Sequence, residues 1–296
     1  MSSATVLRRD GFAGCQPVII FIYFLVLILT AMLVSHPLVT GTAFVGGMLY
    51  QVELKGIRDT LKYQVLFMIP VLLVVAMINP AFNHYGVTVL YQLKTGPVTL
   101  EAIAYGGILA FILWTSLVWF GNFNAIMTTE HFVYLFGRLT PSLSLMLSMI
   151  FRFVPDFARR IRVIREGQQC LGKDVGQQRG LKAYRAAVDE LSILVTWALE
   201  NGIDTADSMR SRGYGTGRRT AYSIFHFTAR DVAVAVVLVC FYGISLWGFC
   251  GGKAEALYNP QIIIANIQDI QGVLCFGAWF LFCLFPAGFG LGAIQK

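Results

Sequence analysis

The sequence predicts an all-α, polytopic membrane protein with about six transmembrane helices and a cytoplasmic pair of long amphipathic helices. Three observations lead there. The 296 residues are 56% hydrophobic and 13% charged, with a mean hydropathy of +0.66, which leaves too little polar surface to coat a water-soluble globule. Residues 11–52, 63–93, 102–129, 232–252 and 270–295 contain no Asp, Glu, Lys or Arg, and several of these runs exceed the roughly 20 residues needed to cross a bilayer core. Between Arg152 and Arg230 the charges return, interleaved with apolar residues at helical spacing.

Cutting the uncharged runs at their breakers places spans near residues 17–34, 37–52, 63–79, 100–121, 231–250 and 270–291. The first is too long, and too poor in a small-residue cleavage signal, to read as a removed leader, so it is expected to stay as a span. Ser35, His36 and Pro37 form a tight reversal, because proline disfavours the helical conformation in the residue before it. Glu101, at the mouth of the fourth span, reads as a helix start. The organisation expected is a membrane part over 1–123, a cytoplasmic or interfacial part over 124–230 and a second membrane part over 231–296.

Cys15, Cys170, Cys240, Cys250, Cys275 and Cys283 contain no C-x-x-C pair and read as small buried hydrophobes. His36, His84, His131 and His226 are scattered without a metal-binding i, i+4 pair. No metal site is expected, and no catalytic constellation assembles from Glu101, Glu130 and these histidines.

Charge orients the chain. The segment from Arg152 to Arg230 holds fourteen of the 23 Lys and Arg residues and eight of the 16 acids, and so carries +6 of the net +7. The positive-inside rule makes it cytoplasmic. Four spans precede it, so Arg8 and Arg9, and also Lys55, Arg58 and Lys62, fall on the same side by parity. Both termini are then cytoplasmic, and the two connections around Ser35 and over residues 80–99 carry only Lys94.

Within the cytoplasmic segment, Phe157, Ile161, Ile164 and Leu171 recur at helical spacing, with Arg159, Arg160, Arg162 and Arg165 on other faces. A longer helix from Tyr184 to Arg212 aligns Val188, Leu191, Val195, Leu199, Gly202, Ala206 and Met209 in one stripe. Asp189 and Glu190 lie near its start, and Arg210 and Arg212 near its end, as the helix dipole favours. Gly213 is positioned as a left-handed cap. Upstream, residues 139–157 have an uncharged part of only 13 residues. They read as a surface-lying helix starting at Pro141 and bending at Pro155. The alternative, a tilted seventh span, breaks the parity.

The stretch "SMRSRGYGTGRRT" (208–220) alternates glycines with arginines. A phosphate-cradling Walker loop requires G-x-x-x-x-G-K-[ST] before a helix. Here the spacing is G-x-G-x-G, no lysine follows, and the stretch ends a helix. Nucleic-acid binding lacks a recognition fold. Contact of Arg218 and Arg219 with anionic headgroups stays open. So does a joint with another protein, in which small Ser208 admits a close helix and Arg212, one turn on, reaches a carboxylate.

"LENGIDTADSMRSRGYGTGRRT" together with "FRFVPDFARRIRVIREGQQCLG" resembles the transmembrane T component of energy-coupling factor (ECF) type ABC transporters. "INPAFNHYGVTVL" and "TLEAIAYG" are similar to that family's membrane half, so the resemblance covers most of the chain. In the family, two Ala-x-x-x-Arg-Gly motifs end a cytoplasmic pair of long coupling helices. The second motif corresponds to Ser208, Arg212 and Gly213, with serine for alanine. The first corresponds to Gly167, Leu171 and Gly172, where the arginine is absent and Leu171 stands in its place.

The resemblance implies a non-enzymatic scaffold in a bacterial or archaeal plasma membrane, with partners in two ABC-type ATPase subunits and a small membrane-embedded substrate-binding S component. The chain itself would bind no cofactor, ATP and Mg residing in the ATPases. Closure of the ATPase pair would move the coupling helices, and the motion would pass through residues 139–157 to the S component, which carries a vitamin or a metal ion such as cobalt or nickel. The alternative is a self-contained permease that lines its own solute path, for which polar or ionisable residues within the spans would be the sign.

Overall fold

A computed structural model of the chain describes residues 12, 14–82, 88–93, 96–139, 141–172, 180–217, 227–258, 263–264 and 269–294. In chain order the described elements begin with α1 (Pro17–Leu33), α2 (Pro37–Lys55) and α3 (Ile57–Tyr63), which runs through a π-helical turn, Gln64–Met68, into α4 (Ile69–Phe82). A short antiparallel hairpin of β1 (Val89–Leu93) and β2 (Gly96–Thr99) leads to α5 (Leu100–Ile126), α6 (Thr129–Leu139), α7 (Pro141–Cys170) and α8 (Leu181–Ser211). Then come α9 (Ala229–Gly248), a second π-helical turn (Phe249–Lys253), the two-residue strands β3 (Ala256–Leu257) and β4 (Ile263–Ile264), and α10 (Ile270–Ile294). The chain divides into two compact units, one of residues 1–128 with 225–296 and one of residues 129–224.

The fold is all-α apart from these two minimal hairpins, which the sequence reading did not anticipate. Every apolar segment read as a span is helical. Among the described residues, four stretches are long and apolar enough to cross a membrane: Ile57–Pro80, Leu100–Ile126, Ala229–Gly252 and Ile270–Phe289. Pro17–Leu33 is a shorter apolar helix. The helix read at 63–79 starts earlier, at Ile57, because Gly56 at φ 84° ends α2 and lets the chain turn directly into the next helix.

Local chemistry sets the helix starts. His36 caps α2, its Nδ1 accepting from the Leu38 amide at 3.3 Å, with Pro37 at the first helical position where its missing N–H is harmless. Thr99 caps α5 by accepting from the Ala102 amide at 3.3 Å. Glu101 lies in that first turn and is buried, its carboxylate accepting from the Thr88 amide and, at 2.6 Å, from the Thr88 hydroxyl. The helix-start reading of Glu101 therefore holds. Thr228 and Asp231 form a reciprocal capping box on α9.

The membrane unit is organised on α2. Its carbonyls at Val39, Ala43 and Gly47, one helical turn apart, accept from Trp279 Nε1 at 3.1 Å, Trp119 Nε1 at 2.9 Å and Asn122 Nδ2 at 2.9 Å. These donors come from α10 and α5, so α2 is clasped from two sides. Small residues permit the approach. A Cβ on Gly46 would stand 2.9 Å from the Cys283 carbonyl oxygen, and one on Gly47 would stand 2.9 Å from Trp119 Nε1. Likewise a Cβ on Gly106 would reach to 2.8 Å of the Ala76 carbonyl, beside Pro80, which lies inside α4. Around this seam Phe12, Phe24, Trp119 and Trp279 are completely buried, and Tyr23 donates to the Phe282 carbonyl at 3.0 Å.

The interior is more polar than the sequence reading allowed. Gln51, Thr60 and Asn122 are fully buried and Gln64 nearly so. Gln64 donates to Gln51 at 2.7 Å and accepts from Trp114 Nε1 at 2.6 Å, while Thr60 donates to the Gln51 carbonyl at 3.3 Å. This chain of amides sits at the π-helical turn, where the ordinary backbone ladder is interrupted. The cysteine reading is half corrected: Cys15, Cys275 and Cys283 are buried, but Cys170, Cys240 and Cys250 are exposed.

Gly46→Leu should prevent the α2–α10 contact and destabilise the protein by more than about 2 kcal/mol, as overpacking against backbone does. Gly41→Ala, on the same helix with nothing within 4 Å of the new methyl, should be neutral or stabilise by up to about 1 kcal/mol. Thermal unfolding of the two variants in detergent measures the contrast.

Candidate functional site

The unit of residues 129–224 contains α6, α7 and α8. The surface segment and the arginine-rich helix read as separate elements are one continuous helix, α7, with Pro155 inside it. That corrects the division into two elements: proline removes one backbone donor, and the apolar row on either side continues in register, with Phe153 stacked on Phe157 at 6.0 Å and 7°.

α7 and α8 pack antiparallel. Phe157 meets Trp197 edge-on at 5.9 Å, the Arg160 guanidinium lies 5.1 Å from the Trp197 ring centre, and Arg165 Nε stands 3.5 Å from Glu190 Oε2. Rising residue numbers on α7 thus meet falling numbers on α8. On α7 the predicted Phe157, Ile161 and Ile164 are half-buried as expected, but Leu171 is 71% exposed.

On α8 the predicted stripe faces outward. Val188, Leu191, Val195 and Leu199 are exposed, as are Gly202 and Ala206, and only Met209 is partly covered. The covered row is instead Ala183, Ala186, Glu190, Leu194, Trp197, Asn201 and Thr205. Its polar members hid it from a hydropathy reading. The purely apolar stripe was legible because it is unpartnered within the unit, and an outward apolar face of this size implies contact with lipid or protein.

The six motif residues occupy two equivalent positions at helix ends. At the end of α8, Arg212 is the C-cap and Gly213, at φ 85°, is the left-handed residue after it. The Tyr214 amide donates to the Met209 carbonyl at 3.0 Å and the Gly213 amide to the Arg210 carbonyl at 2.9 Å, the bond pair of a Schellman cap. At the end of α7, Leu171 follows the last helical residue and Gly172 is left-handed at φ 69°, its amide donating to the Gln169 carbonyl at 3.0 Å. Ser208 and Gly167 lie one turn before the respective C-caps, both exposed.

The two motifs therefore share one backbone geometry and differ in what they present, a cation at Arg212 and an aliphatic side chain at Leu171. Among the described residues Arg212 has no ion-pair partner. Gly213 and Thr216 turn their amides toward backbone carbonyls, as Tyr214 does, so this loop does not offer the free N–H cluster that a phosphate cradle requires. Arg218 and Arg219 lie outside the described residues, as do His84 and His226.

Antiparallel packing sends the two ends in opposite directions. Measured from the Arg165–Glu190 contact at 1.5 Å per residue, Leu171 lies about 9 Å along α7 and Arg212 about 33 Å the other way along α8. The motif ends are thus separated by about 40 Å along the pair.

The family described as "Cobalt transport protein" (CbiQ) matches residues 14–222. Among curated proteins, the energy-coupling factor transporter transmembrane protein EcfT of Bacillus selenitireducens is 30% identical over 103 residues, 34% of this chain and 38% of that protein. The protein of the same name from Exiguobacterium sibiricum is 33% identical over 101 residues, 34% of this chain and 38% of its own length. That from Streptococcus equi is 26% identical over 195 residues, covering 62% of this chain and 71% of the relative. The alignments with the first two span less than two fifths of those relatives. The family match spans membrane helices and both motif-bearing helix ends alike, and on that match the chain belongs to the CbiQ cobalt transport protein family.

Proposed function

We propose that the chain is the transmembrane scaffold of an ECF-type ABC importer, joining two ATPase subunits to a small substrate-binding S component without binding ATP itself. What supports this reading most is the pair of equivalent helix ends, facing opposite ways about 40 Å apart. A single ATPase groove cannot receive both ends, whereas a pair of ATPase subunits offers one groove to each. On this reading α7 and α8 are the coupling helices, cytoplasmic together with both termini, and the six apolar helical segments all cross the membrane.

The curated relatives bear the name of energy-coupling factor transporter transmembrane proteins, which favours the same assembly here. The uncovered Val188, Leu191, Val195 and Leu199 face of α8 suits an apolar partner, and the S component is assigned to it. Cobalt stands among the cargo candidates through the family's description, beside nickel and the B vitamins; the S component, not this chain, would select among them. The buried amides of the membrane unit bond to one another and to backbone, which suits structural cross-links between helices better than a solute path.

Affinity purification of the tagged chain from its native membrane in mild detergent should bring down two ABC ATPases and one small hydrophobic protein, identified by mass spectrometry. Recovery of the chain alone, where other membrane complexes survive, would refute the scaffold reading. Arg212→Ala should weaken ATPase association by about 2 to 5 kcal/mol if the guanidinium meets a desolvated carboxylate, leaving membrane insertion unchanged; titrated pull-down measures it. Leu171→Arg should also weaken assembly, because an apolar groove would then face an unpaired cation; tighter association would show that the groove retains an acidic partner.

A further inference from the structure

The contact between α7 and α8 contains one group that its packing does not require. Glu190 is 3% exposed, in a row otherwise built from Ala186, Leu194 and Trp197. Its Oε2 lies 3.5 Å from Arg165 Nε, and its Oε1 has no hydrogen-bond partner among the described residues. A buried, half-satisfied carboxylate stabilises a fold less than a well-packed aliphatic side chain would, so its value lies elsewhere.

We propose that the Arg165–Glu190 pair is a register pin that turns the crossing of the two helices into a rigid joint. Two apolar helix faces can slide past each other by one turn, about 5.4 Å, with little loss of contact. Such a slide here would carry Glu190 away from Arg165 and leave its carboxylate buried without a cation, a strongly penalised state. Among the described residues this is the only ion pair between α7 and α8. The second fixed point is Trp197, held between Phe157 and Arg160, two turns from Glu190 and so about 10 Å away.

One fixed point leaves a pivot. Two points fix both sliding and angle, so displacement of either helix end moves the whole pair. Arg165 and Glu190 are in this sense positioning residues: neither lies at a motif end, yet both set where Leu171 and Arg212 stand relative to each other. The transport consequence rests on the scaffold function proposed above; the mechanical one does not.

The test uses the full chain in lipid nanodiscs. Cys240→Ser, Cys250→Ser and Ser211→Cys leave spin labels on exposed Cys170 and on the new thiol at 211, the two ends of the pair. Double electron–electron resonance should give one narrow distance distribution near 40 Å. Arg165→Leu with Glu190→Leu should at least double its width while the Tm holds or rises, because Arg165 is half-exposed and apolar replacement of a buried charge together with its partner is usually neutral or stabilising. In the assembled transporter the same variant should bind its ATPases and hydrolyse ATP, but solute uptake per ATP should fall several-fold. Glu190→Gln, whose amide oxygen can still face the Arg165 guanidinium, should retain most of the narrow distribution.

An unchanged width in the double leucine variant would overturn the pin. A broadened distribution accompanied by a matching fall in Tm would overturn it too, by making the pair an ordinary part of the fold. If the wild-type chain recovers no ATPases the scaffold reading fails, and the nanodisc distances alone decide the pin.

Discussion

The membrane unit depends on a row of carbonyls. An α-helical carbonyl has a second lone pair after its own ladder bond is made, and in a medium without water a donor from a neighbouring helix is its best use. α2 presents three such carbonyls in one row, at Val39, Ala43 and Gly47, and receives two indoles and an amide on them. The row demands close approach, which is why Gly46 and Gly47 stand where a methyl group would collide. It also demands long donors, which is why Trp119 and Trp279 are wholly buried although indole usually prefers a membrane interface.

The second unit follows different rules. Of its two long helices, α8 buries a mixed row against α7 and turns an aliphatic row outward. A helix that stood alone would do the reverse. The arrangement makes sense when further surfaces complete it, and the two C-caps, with their glycines holding the chain in a left-handed turn, are where charge and aliphatic bulk are displayed most openly.

Much of this was legible in the residues themselves. The uncharged runs located every membrane-unit helix except the charged α3, Pro37 and Gly213 marked a start and a stop, and the spacing from Ser208 to Gly213 pointed to the end of α8. The limits are equally specific. Hydropathy cannot show which of two helix faces is covered, so the Val188 to Met209 stripe alone could not tell that α7 packs on the other side of α8. Proline at 155 signals a bend, but the packing of Phe153 and Phe157 on either side carries the helix through it. Gln51, Gln64 and Trp114 are far apart in sequence and ordinary in composition; only the interrupted ladder at Gln64–Met68 brings them together. Leu171 continues the apolar period of α7, yet it is the residue at which the helix ends.

The bonds from Trp279 to the Val39 carbonyl and from Tyr23 to the Phe282 carbonyl have a bearing on biosynthesis. They join the first helices of the chain to the last, across the whole of the second unit. At about 5 to 20 residues per second, a ribosome needs on the order of tens of seconds between making α2 and making the indole that completes its carbonyl row. During that interval the Val39 carbonyl and the face around Gly46 lack the α10 partners they have in the finished fold. The membrane unit is therefore finished only after the chain that follows α5 has been made, so the order of translation makes the last helix the keystone for the first.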